Sequence, residues 1–97
     1  MDPQAASSDV IRRHLVVDGY VQGVGFRVNC ARRARAAGLS GWVRNRDDGR
    51  VEMVLQGPPD LVADVERWCS HGPHLAQVTS VDGNDEPPAP ERGFDIR

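Results

Sequence analysis

The chain has 97 residues, of which 39% are hydrophobic and 27% charged, and this balance predicts one folded domain with one core rather than a disordered chain. No apolar run reaches the ~18 residues of a membrane span, and the first residues lack the basic and apolar regions of a secretion signal, so we expect a cytoplasmic protein without membrane contacts. The net charge is −2, but residues 12–50 carry nine arginines against three aspartates, so an anionic partner would meet this half of the chain.

The first half of the chain predicts a strand, a bare loop and a helix. We expect a flexible N-terminal tail over residues 1–11 and a single domain over residues 12–97. "HLVVDGYV", His14 to Val21, is rich in β-branched residues and predicts strand one. Gln22 to Phe26 is the loop, and Arg27 to Ala37 predicts helix one. The apolar stripe of this helix is expected to comprise Val28, Ala31, Ala34 and Ala37 or Gly38, with Arg32, Arg33 and Arg35 facing solvent.

The second half predicts a hairpin, another helix and two further strands. Residues 39–44 and 51–55 alternate apolar and polar side chains around the turn "NRDDG", which is typical of an antiparallel hairpin. "GPPD" predicts the start of helix two, whose core face would comprise Leu61, Val62, Val65, Trp68 and Cys69. Strand four spans Ala76 to Val81, and its change of spacing indicates a bulge. "FDIR" is long enough for a short last strand. Cys30 and Cys69 are predicted to be buried, reduced thiols.

The order β-α-β-β-α-β predicts an α+β fold. It is the ferredoxin-like split βαβ sandwich, an antiparallel sheet with two helices on one face. In that arrangement strands one and three are central and strand two lies at an edge. This fold hosts many activities, so the function has to come from the chemistry of a site.

The loop sequence "GYVQGVGFR", Gly19 to Arg27, has the residues of an anion-binding site. Glycines let backbone N–H groups point into one concavity, and a helix N-terminus adds free N–H groups. Arg27 adds a planar fork of donors that matches phosphate oxygens. The run fits neither GxGxxG nor the lysine-containing P-loop, and taken alone it is also compatible with a simple tight turn.

A second stretch, "GWVRNRDDGRVE", begins at Gly41, and seventeen residues separate Arg27 from Asn45. Taken together, the two stretches closely resemble the acylphosphatase family over about residues 12–97. The resemblance implies a small cytosolic hydrolase that splits acyl phosphates into carboxylate and inorganic phosphate. We expect it to be a monomer and, because the sequence offers no credible set of metal ligands, to need no metal or cofactor. The resemblance also implies a phosphate site formed by Gln22, Gly23, Val24, Gly25, Phe26 and Arg27, in which Arg27 binds the phosphoryl group and Asn45 positions the attacking water. The family's aromatic residues after the arginine are replaced here by Val28 and Asn29.

The chemistry of acyl phosphate hydrolysis is compatible with this short set of groups. The leaving carboxylate has a conjugate acid with a pKa of about 4 to 5, so it departs without a proton. A loose phosphoryl transition state forms little bond to water, so a strong base is dispensable. Charge stabilisation and water placement remain, and an arginine, amides and one asparagine supply both.

Other candidate sites and functions stay open at the level of the sequence. His71 and His74 form H-x-x-H but are interpreted as a solvated loop pair, His14 as structural, and Asp47 and Asp48 as turn residues. The main alternative function is an RRM-like nucleic-acid-binding module on the same topology, which would need aromatic residues on its central strands. Two more alternatives are an acylphosphatase-like domain of a hydrogenase-maturation carbamoyltransferase and a small-ligand regulatory domain. We expect a small-molecule substrate and no nucleic acid.

Overall fold

A computed structural model describes residues 9–97. The tail predicted for residues 1–11 lies mostly outside this range, and its last residue, Ile11, begins the first strand. The described chain forms seven elements in the predicted order: β1 (Ile11–Tyr20), α1 (Phe26–Ala36), β2 (Ser40–Asn45), β3 (Val51–Gly57), α2 (Pro59–Cys69), β4 (Gln77–Glu86) and β5 (Phe94–Ile96).

The five strands form one sheet in the order β4-β1-β3-β2-β5, which confirms the ferredoxin-like α+β fold and corrects two of its details. β5 pairs with β2 in parallel, so the sheet is mixed rather than antiparallel. For the same reason β2 is not an edge strand. The predicted bulge is confirmed in β4, because Asp18 pairs with Ser80 while Gly19 pairs with Val78, which leaves one extra residue in β4.

The core lies between the helices and one face of the sheet. Alternating residues of the strands, such as Leu15 and Val17, point into it and are fully buried. Phe26, Cys30, Ala31 and Ala34 form the buried face of α1, so the prediction for Val28 is wrong: its side chain is 53% exposed. The thiols of Cys30 and Cys69 are buried as predicted, and both contact the sulfur of Met53, at 3.7 Å and 3.4 Å.

The outer face of the sheet carries the polar side chains of His14, Glu52 and Gln56, and the segment between β4 and β5 covers part of it. Because β4 and β5 occupy opposite edges, this segment has to cross the sheet, and the Gln56 side chain exchanges two hydrogen bonds with the backbone of Ala89. Glu52 lies on the same face of β3 as Gln56 and accepts hydrogen bonds from His14 and Arg44, each at 2.6 Å. Burial alone would raise the pKa of Glu52, but these two donors outweigh it and hold the pKa below its usual value.

Candidate active site

Two left-handed glycines shape the loop between β1 and α1. Gly23 has φ 75° and Gly25 has φ 80°, and no non-glycine residue between positions 9 and 97 has a positive φ. A residue with a Cβ would strain by ~1–2 kcal/mol in this conformation. Left-handed residues within a turn direct successive N–H groups toward one side. The loop is therefore built to turn its backbone donors into a concavity.

The first turn of α1 adds backbone N–H groups that no side chain caps among the described residues. Gly25 is the N-cap, no side chain caps the helix, and its first turn contains no acidic residue. The first N–H groups of a helix have no partner within the helix, and the helix dipole favours an anion beside them. Asn29 donates from its side chain to the Gly25 carbonyl at 2.8 Å, which occupies that acceptor and steadies the junction.

Arg27 is held by the far end of the chain. Its Nη1 donates to the Arg97 carbonyl oxygen at 3.2 Å, and the Arg97 N–H donates to Val43 at 2.8 Å, so the guanidinium rests on the β5–β2 pair. This is its one side-chain hydrogen bond among residues 9–97, and no acidic residue in that range pairs with it. An arginine has five N–H donors, so most of the fork remains available to a ligand.

Asn45 and Arg27 line the same small cavity. β1 and β2 are both antiparallel to β3, so they run in the same direction and end at the same side of the sheet. The last residue of β2, Asn45, is thereby placed beside the loop that follows β1. The cavity has a volume of about 100 Å³, and its wall is formed by Val21, Gly23, Gly25, Phe26, Arg27, Val28 and Asn45. The two motifs thus meet in space although seventeen residues separate them in sequence.

The side chain of Gln22 ties the loop to the turn after Asn45. Its Nε2 donates to the carbonyl oxygens of Arg46 and Arg50, at 2.8 Å and 2.9 Å. Gln22 was expected only as one of the phosphate-site residues, and the sequence has no signal for this bridge. The bridge couples the position of the loop donors to that of Asn45.

The two arginines of the turn between β2 and β3 form ion pairs, one within the turn and one with β1. Arg46 pairs with Asp48 at 3.0 Å, and Arg50 pairs with Asp18 at 3.5 Å. The Arg50 N–H donates to Asp48, and this bond is the main cause of the lowered pKa of that carboxyl group. Asp47 and Asp48 are turn residues, as predicted, and Arg27 pairs with no acidic side chain of the described residues.

The comparison with known proteins agrees with this arrangement. The sequence model of the acylphosphatase family matches residues 13–96. The chain belongs to the acylphosphatase family. An acylphosphatase of Nostoc sp. is 46% identical over 97 residues, which cover 100% of this chain and 96% of that protein. An acylphosphatase of Natronomonas pharaonis is 48% identical over 90 residues, covering 93% of this chain and 98% of its own.

A solved structure shares the fold as well. The structure of an acylphosphatase from Coxiella burnetii superposes with a TM-score of 0.88 at 32% identity, covering 92% of this chain and 94% of that chain. The likeness therefore extends over the whole domain rather than over one motif. No finding favours the RRM-like alternative.

The two remaining histidine candidates do not line the cavity that Arg27 and Asn45 share. His71 and His74 are exposed in the segment after α2, as predicted, and residues 9–97 contain no group of three or more side chains suited to holding a metal ion. Within the same residues, no helix has the length and apolar character to cross a bilayer. Val28 was assigned to the core, but it lines the cavity directly after Arg27.

Proposed function

We propose that this member of the acylphosphatase family hydrolyses the carboxyl–phosphate bond of acyl phosphates, giving a carboxylate and inorganic phosphate. In this proposal Arg27 and the amides of residues 22–27 hold the phosphoryl group, and Asn45 positions the attacking water. The observation that carries it is the shared cavity, on whose wall the Arg27 side chain, the glycine loop and Asn45 meet.

The proposed mechanism relies on preorganised charge rather than on an acid or a base. Negative charge on the phosphoryl oxygens meets the guanidinium fork and the helix N-terminus, both of which are fixed before the reaction begins. Water attacks phosphorus from the Asn45 side, and the P–O bond to the acyl group breaks with its electron pair passing to the carboxylate. The water proton passes to a phosphoryl oxygen, because the carboxylate is a weak base that departs unprotonated.

We extend the proposal to the cofactors, the location, the oligomeric state and the partners of the enzyme. We infer that it acts without a metal or another cofactor, because the arginine supplies one positive charge and the loop amides supply hydrogen-bond donors to the oxygens of the dianion. We also infer a cytoplasmic monomer that acts on a small-molecule substrate and binds neither nucleic acid nor membrane. The net +6 charge of residues 12–50 is assigned to attraction of the anionic substrate.

Hydrolysis of benzoyl phosphate tests the activity directly, with a phosphomonoester as the control substrate. We expect turnover of benzoyl phosphate that survives exhaustive chelation by EDTA, and no comparable turnover of the monoester. Loss of activity on chelation, with recovery on addition of one particular metal, would contradict the metal-independent mechanism. Absence of benzoyl phosphate hydrolysis at every condition would contradict the activity itself.

Asn45→Ala separates water placement from phosphate binding. Arg27 and the loop still hold the phosphate in this variant, so kcat should fall by at least ~10²-fold while KM and phosphate inhibition stay near native. Asn84→Ala, at an exposed position of β4, is the matched control and should keep its turnover. A folded Asn45→Ala protein with near-native kcat would remove Asn45 from the mechanism.

A further inference from the structure

A groove of about 570 Å³ adjoins the loop on the side away from Asn45. It is lined by Val24 of the loop and by Asn29 of the first turn of α1, so it borders the proposed phosphate site. Its opposite wall is formed by Trp68 of α2 and by residues 72–75, which lead into β4. The mechanism proposed above leaves this space without a role.

The order of the strands decides which part of a substrate would occupy the groove. β4 lies on one side of β1, whereas β3 and β2, with Asn45 at the end of β2, lie on the other. The groove and Asn45 therefore flank the loop on opposite sides. In a phosphoryl transfer the attacking and leaving oxygens are roughly in line. Water placed by Asn45 thus directs the leaving acyl group toward the groove.

The groove offers an apolar wall that ends at a cation. Trp68, Val24 and Leu75 are apolar, and Leu75 is 68% exposed although it is a large hydrophobic residue. The guanidinium of Arg33 lies 4.8 Å from the centre of the Trp68 ring. Within residues 9–97, Arg33 makes neither an ion pair nor a side-chain hydrogen bond, so its donors remain available to a ligand in the groove that it lines.

Helix geometry gives the separation of Arg27 and Arg33 along the axis of α1. Asn29 and Arg33 are four residues apart and lie on the same face of α1. From Arg27 to Arg33 the helix rises by about 9 Å, at 1.5 Å per residue, and arginine side chains lean back toward the N-terminus of their helix. An acyl chain that leaves the loop along the groove therefore follows the face of α1 that Asn29 and Arg33 share.

We infer that this groove binds the acyl chain of the substrate and that Arg33 favours acyl phosphates with a second negative group at the far end. The inference rests on the proposed function and names its substrate class. Val24, Trp68 and Leu75 contact the apolar stem of the acyl chain. Arg33 receives its terminal carboxylate or phosphate, a pairing that an apolar acyl group cannot make.

The test compares succinyl phosphate, which carries a distal carboxylate, with benzoyl phosphate, which does not. Arg33→Gln should raise KM for succinyl phosphate by about two- to fivefold, the size of an exposed ion pair, and leave KM for benzoyl phosphate and both kcat values unchanged. High salt should abolish the difference in KM for succinyl phosphate between the native and Arg33→Gln proteins. Leu75→Ser should raise KM for both substrates, because both lose apolar contact.

Arg67→Gln is the matched control, since Arg67 is an exposed arginine of the neighbouring helix that pairs with Asp64 outside the groove. It should leave both KM values unchanged. Equal KM for succinyl phosphate in the native and Arg33→Gln proteins, while both hydrolyse benzoyl phosphate, would overturn the groove assignment alone. A native protein that hydrolyses neither substrate would overturn the proposed function together with it.

Discussion

Gly23→Ala tests the loop separately from the fold. An added Cβ would meet no atom within 4 Å, so the substitution costs only the strain of an alanine at φ 75°. That strain is ~1–2 kcal/mol. For a domain of this size each kcal/mol lowers the thermal midpoint by about 4–8 °C, so we expect a fall of roughly 4–16 °C and a protein that still folds.

The same substitution should affect activity far more than stability. Relief of the strain would rotate the neighbouring N–H groups away from the cavity wall that Gly23 helps to form. Removal of one preorganised donor of this kind costs about 10²–10³-fold in kcat. We therefore expect benzoyl phosphate turnover to fall by at least ~10²-fold and phosphate inhibition to weaken. Thermal unfolding, followed by circular dichroism, supplies the folded fraction at the assay temperature.

Gly38→Ala is the control for this experiment. Gly38 has φ 72°, and an added Cβ there also meets nothing within 4 Å, but the residue lies just beyond the C-terminal end of α1, away from the cavity. It should lose a similar amount of stability and keep its turnover. If the two variants have equal turnover after correction for the folded fraction, the loop is an ordinary tight turn and the donor argument is refuted.

Three further substitutions test the surroundings of the site. Arg27→Lys replaces the planar fork with a point charge, so phosphate inhibition should weaken by at least tenfold; native inhibition would place the anion site elsewhere. Gln22→Glu removes the two bonds to the β2–β3 turn and sets a carboxylate against their carbonyl oxygens, so kcat should fall, whereas unchanged kcat would show that the bridge is not needed. Glu52 has a lowered pKa in the folded state, so its stabilising effect is present above the unfolded pKa of about 4.3 and is lost as the pH falls through the folded value. Glu52→Gln should therefore lower the thermal midpoint at pH 7 and flatten its acid dependence; an unchanged midpoint–pH curve would contradict this.

The element order and the two motifs could be predicted from the sequence because both depend on local patterns. The position of β5 could not, because three residues have no informative period and their pairing with β2 depends on how the preceding segment crosses the sheet. β4 also runs further than predicted, through the polar residues 82–86. There the pairs Arg12–Glu86 and Arg13–Asp85 join it to β1 and replace the missing apolar pattern.

The error in the orientation of α1 has a geometric cause. The sequence interpretation set the core stripe from Val28 and left Phe26 in the loop. In the structure the ring of Phe26 packs against Trp68, with centroids 5.3 Å apart, and Phe26 begins the helix. At 100° per residue, Cys30 lies about 40° and Ala34 about 80° from the direction of Phe26, while Val28 lies about 200° away. Val28 is thereby turned out of the core and beside the cavity.

The strand order places the proposed water site and the proposed acyl-binding groove on opposite sides of the loop between β1 and α1. β3 brings the end of β2 to one flank, where Gln22 fixes the turn after Asn45, and β4 with its preceding segment borders the other. The water side is thus tied by hydrogen bonds from the Gln22 side chain to backbone carbonyls, whereas the acyl side is an open groove lined by exposed and half-buried side chains. Because reaction geometry tolerates little displacement and acyl binding tolerates much, changes at Asn45 or Gln22 should act on kcat, and changes at Arg33 or Leu75 on KM. A substitution in the groove that lowers kcat for every acyl phosphate, with KM unchanged, would show that the two flanks are not independent.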